Sequence, residues 1–186
     1  MVRAEFVYNS SFIIPSAFVN GCVFWGSCIK TGITVGTTAE YLVNAYEGVY
    51  NIYQCDLVNG VTFETIDYDD TTIAATGMII LQKHNGKIAK VIHLIVFGDL
   101  AGGGTIGDGI IHVDDALAAL RHYAGTGIIT YEAFFLAADI DHDGYVTDTD
   151  ATAILSAVGS PSSINQNYSI TTVPDGLYYQ IPVAFV

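Results

Sequence analysis

Asp139, Asp141 and Asp143 stand at alternate positions and are followed by Gly144, Tyr145, Thr147 and Asp150. A hard divalent cation wants six to eight oxygens at about 2.3–2.6 Å, gathered from a short, sharply turning segment. The spacing puts Asp139, Asp141 and Asp143 at ligand positions 1, 3 and 5, and Gly144 at the turn. Tyr145 offers its backbone carbonyl at position 7, and Thr147 at position 9 acts directly or through water. Asp150 closes the loop at position 12 in place of the usual Glu, while Val146 turns inward to the core. This pattern is a twelve-position calcium loop.

A less complete copy precedes it. Asp108, Gly109, Ile110 and Asp115 align with Asp143, Gly144, Tyr145 and Asp150, and Ala116, Ala118 and Leu120 with Ala151, Ala153 and Leu155. Counting back without gaps lands on Gly104 and Ile106. With residues 103–107 as a five-residue insertion, Asp99 becomes position 1 and Ala101 position 3. This loop then has Asp99, Asp108, the Ile110 carbonyl and Asp115, with one side-chain ligand missing. Two calcium sites are expected, the second repeat being the stronger.

The elements around the loops change character along the chain. Residues 18–24 and 50–57 are rich in aromatic and β-branched side chains and predict strands. Asn59-Gly60 and Asn85-Gly86 are signals for type I′ hairpins, the second joining 77–82 to 88–97. Thr37, Thr38, Ala39 and Glu40 read as a capping box with Thr37 as N-cap, ahead of Leu42, Val43 and Tyr46 on one helix face. In the second half, 115–123 and 150–158 carry Ala and Leu at helical spacing, and 131–138 follows Thr130 as N-cap. Residues 177–186 are β-like and can return to pair with the first half. The fold expected is α+β: a small β-rich, sandwich-like module with one short helix over 1–97, an all-α unit with two calcium loop-helix repeats over 98–160, and an extension over 161–186.

Composition excludes several functions. Six Lys and Arg stand against 19 Asp and Glu, a net −13. A nucleic-acid binder must present cations to phosphates. An apolar fraction of 51% argues against disorder, and no apolar run reaches the roughly 18 residues of a membrane span. The start, Met1-Val2-Arg3, lacks the apolar core of a secretory signal and reads as the start of an excised fragment. Residues 99–160 hold ten acids and one base, Arg121, and crowded carboxylates repel unless something positive sits among them. Cys22, Cys28 and Cys55 cannot close a framework by themselves. Cys22 and Cys28 can bridge a hairpin, or all three are small buried hydrophobes.

Two loop-helix calcium repeats joined by a short helix resemble a dockerin, carried by GDLAGGG, DGIIHVDDALAALRHYAG and AADIDHDGYVTDTDATAILSAVG. The preceding half, with Gly36 to Leu42, Thr76-Gly77-Met78 and Val96-Phe97-Gly98-Asp99, resembles the β-rich X-type modules often found beside dockerins in Gram-positive anaerobes. The resemblance implies calcium-dependent docking onto a cohesin of a scaffoldin or cell-surface anchor, in an extracellular cellulosome-type complex of an anaerobic bacterium. It assigns partner contacts to Val113, Asp114, Leu117, Leu120 and Arg121 of the first repeat, with His122 beside them. In the second repeat it assigns them to Asp148, Thr149, Thr152, Leu155 and Ser156. Because Val113-Asp114 faces Asp148-Thr149 and Leu120-Arg121 faces Leu155-Ser156, a half-turn would exchange unlike residues, and one binding mode is expected.

Other functions are weaker readings of the same residues. Glu64, Asp67, Asp69 and Asp70 could mimic a catalytic acid pair, but a solvated loop before Thr71 is the simpler account. No nucleophile-with-base or phosphate-cradle motif is present, and no enzymatic activity is expected. A calcium-stabilised carbohydrate-binding module, stacking Trp25, Tyr50 and Tyr53 on sugar, is the main alternative. A calcium sensor is disfavoured, because a sensor works by changing the angle between entering and exiting helices and no entering helices are expected here.

Overall fold

A computed structural model describes residues 18–19, 22–23, 27–47, 54–100, 106–168 and 170. Its centre is a mixed four-stranded sheet in the order β3-β6-β5-β4. Strands β5 (Met78–His84) and β6 (Lys87–Leu94) form an antiparallel hairpin. Asn85 and Gly86 join them with φ of 52° and 75°, the pair of left-handed residues that a type I′ turn requires. Strand β4 (Gln54–Asn59) pairs antiparallel with β5, and β3 (Ser27–Lys30) pairs parallel with β6. A parallel pair demands a long crossover, here supplied by helix α1 (Ala39–Glu47), β4 and β5. Strands β1 (Phe18–Val19) and β2 (Cys22–Val23) make a separate antiparallel pair.

Both faces of the sheet are covered. Leu57, Ile80, Ile92 and Leu94 pack with Ala39, Leu42 and Val43 of α1, while Val58, Ile79, Leu81 and Val91 face the other way with Phe63. Helices α2 (Val113–Tyr123), α3 (Glu132–Ala138) and α4 (Asp148–Ala157) close around a third core. Ala116 and Ala119 of α2 and Ala151, Ile154 and Ala157 of α4 are buried there, and these small side chains on the facing sides allow close helix packing.

The expected division into a sandwich-like β-module followed by an all-α unit is overturned. The structure is α+β with one four-stranded mixed sheet and four helices. The chain leaving β6 enters the helical core directly, because Ile95, Phe97 and Leu100 are buried among α2, α3 and α4, with Ile29 of β3 packed against them. The segment after β6 thus belongs to the helical core, which lies beside the two cores on the faces of the sheet.

Local details also differ. The helix predicted from Thr37 begins one residue later: Thr38 Oγ1 accepts from Tyr41 N–H, while Thr37 Oγ1 donates to Thr34 O. Asn59-Gly60 is no two-residue hairpin. Asn59 Oδ1 accepts from Val61 and Thr62 N–H, Phe63 takes the left-handed φ of 59°, and β5 begins only at Met78. Gly60 is needed for close approach, since a Cβ there would collide with the Tyr131 hydroxyl and the Gly77 carbonyl. Tyr131, not Thr130, precedes α3 as its N-cap. The expectations for Trp25, Tyr50, Tyr53 and 177–186, and for pairing of the Cys22 and Cys28 side chains, lie outside the described residues. Among the described residues no helix is long and apolar enough to cross a membrane.

Candidate metal site and docking face

The second loop hangs between α3 and α4. Asp139 is the residue that ends α3, and Thr147 caps α4, its Oγ1 accepting from Thr149 N–H at 3.2 Å. Asp150 reaches back across the loop: its Oδ2 accepts from Thr147 N–H at 2.8 Å and its Oδ1 from Ile140 N–H at 2.8 Å. Asp139 in turn accepts from Asp143 and Gly144 N–H at 3.1 and 3.0 Å, and Asp143 accepts from Tyr145 N–H. Gly144 has φ of 90°, so the tight turn selects glycine. These bonds aim Asp139, Asp141 and Asp143 at one point, with one oxygen from each within 4.8 Å of the others.

This cluster could hold a metal ion. The donor set is all carboxylate oxygen, with no sulfur or imidazole in it, which suits a hard cation. Burial pushes the Asp139 carboxyl up to about 6, and the charges of Asp150, Asp143 and Asp141 add to the shift. Asp141 is also raised, by burial first and then by Asp150 and Asp143. A cation placed among them would reverse that penalty.

The first loop has the same framework. Asp115 Oδ2 accepts from His112 N–H at 2.6 Å and Oδ1 from Leu100 N–H at 2.8 Å, as Asp150 does from Thr147 and Ile140. Asp99 Oδ1 accepts from Asp108 N–H at 3.0 Å, and Asp99 also accepts from Gly109 N–H, as Asp139 does from Asp143 and Gly144. Asp108 accepts from Ile110 N–H, matching Asp143 and Tyr145. Gly109 has φ of 76°. Asp99 therefore occupies position 1, as the insertion alignment required.

The two loops differ at their first aspartate. Asp99 Oδ2 also accepts from Thr76 N–H at 2.7 Å, and Thr76 O accepts from Gly107 N–H. Backbone from the sheet side thus fills a lone pair that in the second loop no described residue takes up. Asp99 is fully buried, and burial together with the neighbouring Asp115 pushes its carboxyl up to about 7. Asp115 is raised to about 6, by burial and then by Asp108. Among the described residues, Asp99, Asp108 and Asp115 do not converge as the second trio does; Ala101 and 103–105 of the insertion lie outside them.

The predicted contact positions are mostly on the surface. Val113, Leu117, Leu120 and Leu155 are 56, 38, 44 and 52% exposed, unusual values for large apolar side chains on adjacent helices. Asp114, Arg121, Asp148 and Thr149 are exposed beside them. Thr152 and Ser156 are exposed, but their hydroxyls bond back to Asp148 O and Thr152 O along α4. His122 is half-buried: its Nδ1 accepts from Ile129 N–H and its ring meets Phe135 edge-on.

Three supports had no sequence signal. Thr76 acts through its main chain, which no side-chain pattern reveals. Gln166 mimics a strand, accepting from Phe97 N–H and donating to Phe97 O at 2.8 and 2.7 Å. Tyr168 stacks on His142 of the second loop with ring centroids 3.5 Å apart, and Phe97 meets the same imidazole edge-on at 4.8 Å. Compared with protein-family models, curated proteins and solved structures, the chain matches none.

Proposed function

We propose that this chain is a non-enzymatic, calcium-dependent protein–protein interaction module. Its α2–α4 face docks onto a cohesin of a scaffoldin or cell-surface anchor, in an extracellular cellulosome-type assembly. The observation that carries the reading is the duplicated loop-helix framework, which holds two helices side by side with apolar side chains turned to solvent. Calcium is held in the second loop by Asp139, Asp141 and Asp143, with the Tyr145 carbonyl, Thr147 and Asp150 completing the set; bound there, it neutralises the crowded carboxylates and holds the start of α4. The first loop, through Asp99, Asp108, the Ile110 carbonyl and Asp115, is the weaker site. Extracellular calcium suits modules with dissociation constants of about 10⁻⁴–10⁻³ M or tighter.

Helix α2 is the main contact, because it offers three exposed apolar residues and Arg121, whereas α4 offers Leu155 among hydroxyls and acids. Exchange of the two helices by a half-turn would set Leu120-Arg121 against the place of Leu155-Ser156, so one orientation is favoured. The test is calorimetry against a panel of cohesins, with calcium and again with chelator. Tight binding to one cohesin that vanishes with chelator is expected. A calcium-loaded chain that binds none of them would overturn the docking role.

A further inference from the structure

We propose that the cleft beside α2 is an anchor pocket that takes a branched apolar side chain flanked by a carboxylate from the docked partner; this rests on the docking role proposed for the α2–α4 face. The cleft has a volume of about 320 Å³, with walls that include Val61, Leu100, Ala118, Ile128, Ile129 and Phe134. That is the small end of ligand-sized pockets. It has room for a side chain or two and suits a protein anchor better than a sugar chain.

Among the described residues no acidic side chain lines the cleft, although it lies in the most acidic part of the protein. Its one charged wall among them is Arg121, the single base among ten acids between 99 and 160. Among the described residues Arg121 makes no ion pair. Its main chain is tied down: Thr126 and Gly127 N–H both donate to Arg121 O, at 3.0 and 3.1 Å, in the turn after α2. A guanidinium in the wall of an apolar cleft recognises a carboxylate by paired hydrogen bonds.

Tyr131, another wall, is only 7% exposed, and its hydroxyl is packed beside Gly60. Ile128, a wall of the cleft, is 62% exposed, and Leu117 and Leu120 of α2 are exposed as well. The acidic surroundings repel a broadly acidic partner, so the fitting surface is neutral or basic with one carboxylate beside an aliphatic residue.

The test begins with the calcium-loaded full chain, isotope-labelled and titrated with 4-methylpentanoate in NMR. Saturable shifts at Ile128, Ile129 and Tyr131 are expected. The affinity should fall roughly fivefold or more for 4-methylpentan-1-ol and for Arg121→Gln, since each removes one side of a charge-assisted pair. No saturable shift, or equal binding by Arg121→Gln, overturns the proposal. On any cohesin that binds, Arg121→Gln and Ile128→Ser should each weaken docking about tenfold or more, as hot-spot residues do. If calcium-dependent docking persists unchanged in both variants, the pocket is wrong and the docking role stands. If the pocket binds the acid but no cohesin binds, the docking role falls and the pocket's part as a partner anchor falls with it.

Discussion

The two loops share the hydrogen bonds of their described parts and differ in what answers their first aspartate. Asp139 and Asp99 each receive the N–H groups of positions 5 and 6, and Asp150 and Asp115 each tie the loop entry to a helix start. In the second loop Asp141 joins Asp139 and Asp143 around an open point. In the first, Thr76 N–H occupies Asp99 Oδ2 and the protein's own main chain supplies the positive end of a dipole. A frame of this kind could thus be held by a cation or by neighbouring main chain. Which one holds it depends on a single lone pair and on whether position 3 carries a carboxylate.

The largest break in this comparison is Asp99→Ala. It strips an acceptor from the buried Thr76 N–H and another from the part-buried Asp108 N–H, and unsatisfied buried donors cost about 1–3 kcal/mol each. Thermal unfolding should show a loss of about 3 kcal/mol or more, with calcium and with chelator alike. Asp141→Ala should behave differently, because Asp141 is exposed and, among the described residues, accepts from Asp143 N–H alone. Its unfolding in chelator should stay within about 0.5 kcal/mol of the native chain, as for other surface changes. In calcium it should lack most of the stabilisation that ligand binding supplies.

Protons sharpen the contrast next. Asp139 titrates near 6, raised by burial and by neighbouring carboxylates. A raised carboxyl keeps its proton to higher pH, and calcium must displace that proton to bind. Below pH 6 the calcium affinity of the second loop should therefore fall, by roughly tenfold per pH unit for one proton. Titrations at pH 7 and pH 5 check the sign, and affinity that rises on acidification would contradict it. The smallest pair of effects lies at the helix starts. Thr147→Val removes a hydroxyl that accepts from Thr149 N–H and donates to Asp150, costing about 1 kcal/mol in denaturant unfolding. His112→Ala takes the N-cap side chain from α2 together with an exposed 3.4 Å contact to Asp108 and should cost about 0.5 kcal/mol.

Much of this was legible because it is local. The spacing of Asp139, Asp141, Asp143 and Gly144 predicts a convergent cluster, and the alignment of Asp108-Gly109 with Asp143-Gly144 leads back to Asp99 as a loop opening. Asn85-Gly86 predicts its turn from the left-handed tolerance of both residues. The larger misreadings concern contacts distant in sequence. Nothing in residues 27–30 says that they lie parallel to β6, because strand pairing across sixty residues is decided by packing and not by propensity. The expected break between β-module and helices failed for the same reason: Ile95 and Phe97 look like a strand ending, while their burial partners lie on α2, α3 and α4. At Asn59-Gly60 the turn signal was real, but the Asn59 side chain directs it into a wider loop.

The most direct measurement is a calorimetric calcium titration of the native chain beside Asp141→Ala. The difference between the loops predicts a strong site that disappears in Asp141→Ala and leaves only weak residual binding. Two sites of equal affinity in the native chain, or a strong site that survives Asp141→Ala, would contradict it.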